Sequence, residues 1–270
     1  MASFEQQFAP TIDRFSGFAR DYDHYRPSPP EALASLLAQC RGPEKPVLVV
    51  DLGSGTGLSS RYWAERAVEV IGIEPSADMR REASRQTSDA NVQYRDGYSH
   101  ATGLPAQCAQ IVTCVQALHW MGPQGTFTEA RRILVPGGVF AAIDYDWPPA
   151  SSSWRADQAW SACQERAARL EAELPGARPP RWDKSGHADR MRASECFRFV
   201  REAALHHVDA GSWRRHVGLL RSQGGVMDLL KAGRPESDLG IPELESIARL
   251  ELGEQDRPFN WTARLRIGVV

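Results

Sequence analysis

The residues best suited to chemistry lie at 51–57, Asp-Leu-Gly-Ser-Gly-Thr-Gly, and at position 74, a glutamate. Gly53, Gly55 and Gly57 stand at alternate positions behind a short aliphatic run, Val47 to Val50. Glycines so spaced let the backbone turn sharply and let a ligand lie against it with no Cβ in the way. A strand, a glycine turn and a helix starting at Leu58 make a nucleotide-like binding corner. It is not the dinucleotide fingerprint, because Leu58 stands where the third glycine belongs. Nor is it a P-loop, because Gly57-Leu58-Ser59 lacks the lysine. No lysine or arginine lies between Asp51 and Ser60, so the turn suits a phosphate poorly and a ribose with a positive centre better. Glu74 ends the next expected strand, 68–73, where a carboxylate can accept hydrogen bonds from both hydroxyls of a ribose.

Such a corner needs a parallel sheet behind it. Val47–Val50 carries no charge and reads as a strand buried on both faces. Further strands are expected at 92–95, 111–115, 139–143, 197–208 and 261–269. Helices are expected at 31–39, 58–67, 75–87, 127–134, 154–174, 212–230 and 241–250. Ser76 is the expected N-cap of the third of these. The breakers Arg41-Gly-Pro-Glu-Lys-Pro46 and Val135-Pro-Gly-Gly138 punctuate the pattern. Phe15, Phe18, Tyr22 and Tyr25 recur at helical spacing near the start, either as one face of a packed helix or as a lid.

With 270 residues, 32 Lys and Arg against 34 Asp and Glu, and a net charge of −2, the chain carries no nucleic-acid footprint. Its five cysteines form no Cys-x-x-Cys pair, which argues against a zinc site and for reduced thiols in a cytoplasmic setting. No membrane span and no secretion signal is visible. The excess of arginine over lysine, with abundant alanine and proline, points to a GC-rich bacterial source.

Asp51-Leu-Gly-Ser-Gly-Thr-Gly57 together with Ile71-Gly-Ile-Glu-Pro-Ser76 resembles the class I S-adenosylmethionine-dependent methyltransferases. The helix–Pro-Gly-Gly–strand unit at 127–143 fits the same family. Phe15 to Pro27 and Ala117-Leu-His-Trp120 resemble its trans-aconitate methyltransferase-like branch, whose members methylate small acids and whose relatives act in secondary metabolism. The resemblance implies a Rossmann-like α/β fold with a seven-stranded sheet and an antiparallel last strand, in a single domain over 1–270. Within it, 1–30 would be an N-terminal helical lid and 31–147 the cofactor core. Residues 148–195 and 210–256 would be variable substrate-side insertions, the latter a helical insertion before the last strand.

The implied cofactor is S-adenosyl-L-methionine, leaving as S-adenosyl-L-homocysteine. The positions carried over for it are Asp51, Gly53, Ser54, Gly55, Glu74, Pro75, Met79 on the adenine, Tyr98, Ser99 and Gln116. Tyr25 and Arg26 join them from the lid, with Arg26 facing the carboxylate of the methionine part. Two departures stand out. Tyr98 and His100 occupy positions where the family often has an acid, leaving the adenine amine to Asp96 or to the backbone of Tyr98 and Ser99. Gln110 also replaces the acid that commonly precedes the fourth strand.

Methyl transfer from a sulfonium needs alignment and dryness rather than a metal or a covalent intermediate. Aromatic faces favour the cation, and Tyr22, Trp120, Tyr145 and Trp147 are available. His119, with Tyr22 and Trp120, is the catalytic candidate: neutral imidazole can take a proton from a hydroxyl, phenol, thiol or amine. A carboxylate acceptor needs no base and would want arginines. Arg178, Arg181, Arg214 and Arg221 lie in the variable regions and read as solvated surface. Adjacent His206 and His207 point to opposite faces of a strand, against a shared metal. The expected reaction is methylation of a small molecule, at a carboxylate or hydroxyl oxygen, by a monomer or homodimer. N- or C-methylation on the same scaffold and a repurposed, non-catalytic cofactor-binding protein are the alternatives.

Overall fold

The computed structural model describes residues 12, 17, 19–174 and 180–270. The expected aromatic positions Phe4, Phe8, Phe15 and Phe18, and Arg178, lie outside the described residues.

The Val-rich run becomes β1 (Leu48–Leu52), buried along its whole length. It lies in the middle of a seven-stranded sheet with order β3-β2-β1-β4-β5-β7-β6. Its parallel neighbours are β2 (Glu69–Ile73) and β4 (Ala109–Val115). β3 (Val92–Arg95) extends one side in parallel, and β5 (Leu134–Tyr145) the other. The last strand, β7 (Arg257–Val269), runs antiparallel to both β5 and the outer β6 (Phe199–Gly211). The sheet is thus that of the class I methyltransferases, as the resemblance implies. Gln110, the departure before β4, accepts a hydrogen bond from the Leu48 N–H at 2.8 Å and so fixes the entry of β1.

Period-two burial sends alternate residues to opposite faces. Val49, Val70, Ile111, Val139 and Leu265 pack on one face with α1 (Ala19–Tyr25), α2 (Leu33–Arg41) and α3 (Leu58–Trp63). Also on that face are α6 (Trp154–Glu171), α8 (Trp213–Arg221), α9 (Gly224–Lys231) and α11 (Ile241–Leu252). Val50, Ile71, Val112 and Phe140 face the other way. They pack against α5 (Pro123–Ile133) and α7 (His187–Ala193). α4 (Ala77–Gln86) starts at the predicted cap, where Ser76 Oγ accepts from the Met79 N–H. The short α10 (Glu236–Leu239) leads into α11.

Two helices are shorter than their sequence pattern. α3 ends at Trp63 rather than 67, because Asn91 Nδ2 donates to the Ala64, Ala67 and Val68 carbonyls and holds them in a turn. The single helix expected at 212–230 is two, broken at Ser222-Gln223 ahead of Gly224-Gly225. Helix formation there is weakened by two residues of high backbone entropy. The break places Ser222 where Arg26 docks: Nε donates to Ser222 Oγ at 3.0 Å and Nη2 to the Ser222 carbonyl at 2.6 Å.

α1 is held against α8 by the Tyr25 ring, which lies directly over Gly218. A Cβ at that position would stand 2.5 Å from the ring. Gly218→Ala therefore has to displace α1. We expect the variant to lose about 1–3 kcal/mol of stability in denaturant melts, with faster proteolysis between residues 19 and 27. Unchanged stability and cleavage would show that the contact is slack.

Candidate active site

The glycine turn is bonded to the end of β2. The Gly53 N–H donates to the Ile73 carbonyl at 2.8 Å, and the Gly55 N–H to Glu74 Oε2 at 3.0 Å. Both glycines have φ in the left-handed region, 65° and 55°, which an L side chain adopts at a cost. Glu74 is 8% exposed, and its other oxygen accepts from the Ser76 N–H at 2.9 Å. Burial pushes the Glu74 carboxyl up to about 7, against the two backbone N–H groups and Arg80, with Asp51 adding to the rise.

Above this corner lies a cavity of roughly 830 Å³ including its open mouth, a size common for small-molecule sites. It is walled by Gly53, Gly55, Glu74, Pro75, Met79, Tyr98, Ser99, Gln116, Trp120 and Tyr22. A smaller compartment continues from it past Gly53, Ser54 and Gly55 to Thr56, Arg26, Tyr145 and Trp147. There Ser54 Oγ and Thr56 Oγ1 are buried with no hydrogen-bond partner among the described residues. These features fit S-adenosylmethionine: a carboxylate for the ribose, an apolar slot for adenine beside Met79, and unpartnered hydroxyls for the amino-acid end.

Three expected cofactor positions are placed elsewhere. Asp51 is fully buried below the turn, accepting from Ser60 Oγ and Thr113 Oγ1 at 2.8 Å each. It ties α3 and β4 to β1 and is absent from the cavity walls. Burial pushes its carboxyl up to about 6. Tyr25 is turned away onto Gly218, since its neighbours Tyr22 and Arg26 take the inward side of α1 and its end. Asp96 is exposed and paired with Arg80 at 2.7 Å, which leaves Tyr98 and Ser99 on the cavity wall.

A third compartment opens beside the first, sharing Tyr22, Gln116 and Trp120 with it. Its character is basic. Arg26 lies between the Tyr22 and Trp147 rings, 4.7 and 4.6 Å from their centroids. Arg181 sits 5.2 Å from the centre of the Trp120 ring, and Lys184 completes the set. Gln164 and Glu171 from α6 form the opposite wall. Arg181 is exposed, as its reading as solvated surface expects, and it also stands on this wall, because the segment after residue 180 folds back so that the Trp182 N–H bonds the His119 carbonyl at 2.9 Å. Arg214 and Arg221 are indeed occupied elsewhere, by Glu254 and by Glu236 with Glu245.

His119 is 5% exposed, in a short 3₁₀ turn after β4 (Leu118–Trp120). Burial, and then the charges of Lys184 and Arg181, hold its imidazole well below the usual histidine range. The sequence missed what lies behind it. Asp144, at the tip of β5 and 3% exposed, is met by Lys184 Nζ at 3.0 Å and Arg266 Nη1 at 3.2 Å. His119 Nδ1 and His187 Nε2 stand farther off, at 3.6 and 3.9 Å. Asp144 was legible as a strand-end residue on the ligand edge. Lys184, His187 and Arg266 carried no motif.

Residues 50–142 match the methyltransferase-domain family model. That segment, which holds the glycine turn, Glu74 and Gln116, is similar to a methyltransferase domain. Among curated proteins, a methyltransferase of Dictyostelium discoideum is 30% identical over 134 residues, 49% of each chain. A malonyl-[acyl-carrier protein] O-methyltransferase of Enterobacter lignolyticus is 36% identical over 123 residues, 44% of this chain and 45% of its own length. The chain thus spans about half the length of the curated relatives it matches. Among solved structures, a type II methyltransferase from Anaeromyxobacter dehalogenans superposes with a TM-score of 0.63 at 23% identity. That match covers 91% of this chain and 98% of the other and speaks to the fold. Among the described residues, no helix is long and apolar enough to cross a membrane.

The raised pKa of Glu74 has a signed consequence. Ribose hydroxyls donate to the ionised form, so cofactor affinity should rise as pH increases through about 7 and level off above it. In the ligand-free protein the same burial favours the protonated acid. The stability it contributes is present below about 4.5 and lost as pH climbs through about 7. Calorimetric titration of S-adenosylhomocysteine across this range checks the first point. Glu74→Gln should abolish the slope and weaken binding by about tenfold or more at high pH, about 1.4 kcal/mol. A flat wild-type profile would remove the ionised carboxylate from the site.

Proposed function

We propose that the protein transfers the methyl group of S-adenosyl-L-methionine to an oxygen of a small molecule, and that this oxygen belongs to a carboxylate. The observation that carries the reading is the basic compartment, with Arg26, Arg181 and Lys184, opening directly beside the cofactor cavity through Tyr22, Gln116 and Trp120. A cationic wall recruits an anion. The relative from Enterobacter lignolyticus, named as an O-methyltransferase, is compatible with an oxygen acceptor.

The cofactor supplies an electrophilic methyl on a cationic sulfur. One carboxylate oxygen forms a bond to that carbon as the carbon–sulfur bond breaks. Sulfur keeps the electron pair and becomes neutral, and no proton moves. The chain's own contribution is to hold the acid, turn one oxygen toward the methyl group and keep water away. Tyr22, Trp120 and Trp147 offer ring faces to the positive charge. A depressed imidazole pKa makes His119 a weak base, which suits an acceptor that is already an anion. It helps a neutral amine or alcohol little.

Incubation with methyl-labelled cofactor and a panel of carboxylic acids, phenols and amines should give label in products that release methanol under mild base, as methyl esters do. Label confined to base-stable products would point to N-, C- or ether methylation instead. With an acid as acceptor, Arg181→Met should raise KM by about an order of magnitude with kcat largely kept, since a charge contact made in ground and transition states alike acts on binding. The pH profile of kcat should show no limb that disappears in His119→Asn. Finding such a limb would restore His119 as the base.

A further inference from the structure

We propose that Gln116 is the specificity-determining residue that reads the acceptor's oxygen, and that Lys184 and Asp144 are positioning residues that fix which end of its amide does so. This rests on the methyl-transfer reading above. Among the described residues, Gln116 and Tyr22 line all three compartments described above. It follows β4 with φ of 54°, in the left-handed region, and is held there by its N–H bond to the Ile143 carbonyl at 2.7 Å. A non-glycine residue in that conformation is uncommon and often marks a functional position.

The orientation of the Gln116 amide follows from its neighbour. Lys184 Nζ lies 2.7 Å from Gln116 Oε1. An ammonium has three donors and no acceptor, so it takes the amide oxygen and repels the amide nitrogen. Lys184 is itself held by Asp144 Oδ1 at 3.0 Å. Asp144 in turn is buried and pinned from its other oxygen by Arg266 on β7. The chain of contacts Arg266–Asp144–Lys184–Gln116 therefore leaves Gln116 Nε2 facing away from Lys184. That nitrogen is buried and has no hydrogen-bond partner among the described residues.

A fixed donor wants an acceptor atom. A carboxylate offers lone pairs at both oxygens. A carboxylate satisfies Nε2 in either orientation, whereas a primary amide does so only with its carbonyl turned inward and sets donor against donor in the other; a protonated amine offers only donors. Preference for the acid over its neutral isostere then comes from one rigid contact. Cationic side chains alone would favour any anion without reading which atom it presents.

The test measures binding of malonate, succinate, benzoate and phenylacetate, and of their primary amides, to protein saturated with S-adenosylhomocysteine. Wild-type protein should bind at least one acid and discriminate against its amide. Gln116→Glu, which keeps the contact to Lys184 but replaces the donors with an acceptor, should lose acid binding by about tenfold or more. Lys184→Met frees the Gln116 amide to turn over, so it should bind the amides more tightly than wild type does. Removal of a charge alone would leave amide affinity where it was. Lys184→Arg should restore the discrimination. Acid binding undiminished in Gln116→Glu, no gain of amide affinity in Lys184→Met, or no acid bound by wild type would each overturn the proposal. Failure of wild-type protein to bind S-adenosylhomocysteine at all is a different result, and it would sink the methyl-transfer reading itself.

Discussion

The structure depends first on a backbone contact: the N–H groups of Gly53 and Gly55 reach across to the end of β2, one to a carbonyl and one to the Glu74 carboxylate. This contact needs left-handed dihedrals at both glycines. It also needs a small residue at Gly72, where a Cβ would come within 2.7 Å of Ser54 Oγ and of the Tyr94 ring. From it follow the position of Glu74, the opening above the turn and the direction in which α3 leaves. Asp51 secures the turn from below, through Ser60 and Thr113. The two carboxylates thus divide the work: one is sealed into the fold and the other is left at the edge of the cavity.

The second organising feature is electrostatic. Arg26, Arg181, Lys184 and Arg266 converge on one end of the sheet, with Asp144 buried in their midst. A buried charge is tolerated when it is paired and hydrogen-bonded; Asp144 is ion-paired with Lys184 through one oxygen and accepts a hydrogen bond from Arg266 at the other. Burial holds both His119 and His187 below the usual histidine range; the cations Lys184 and Arg181 add to it at His119, while Asp144 opposes it at His187. The site is therefore better suited to holding an anion than to moving a proton.

Much of the cofactor half was legible in the sequence, because its signals are local. A β-branched run, alternate glycines, an acid at the next strand end and a Ser N-cap each act through neighbours in the chain, and they mark β1, the turn, Glu74 and α4 directly. The acceptor half was not legible for the opposite reason. Lys184 meets Gln116 across 68 residues, and Arg266 meets Asp144 across 122. No periodicity announces such pairs. Arg181 looks like any arginine in a proline-rich segment until the fold lays it beside Trp120. Tyr25 misled in the other direction: its helical spacing with Tyr22 was real and puts the two on one side of α1, but α8 packs against that side at Gly218 and takes the Tyr25 ring, leaving Tyr22 to the cavity.

β7 is last in sequence yet lies between β5 and β6 in the sheet, bonded to both along most of its length. On a ribosome releasing the chain from its N-terminus, the strands of the cofactor corner are available early, but the gap beside β5 stays open until Arg257–Val269 emerge. Among the described residues β6 pairs with β7 and with no other strand. Arg266, which anchors Asp144, arrives with the same late segment. Closure of the third compartment is in this way tied to the arrival of β7, well after the strands around the glycine turn have formed.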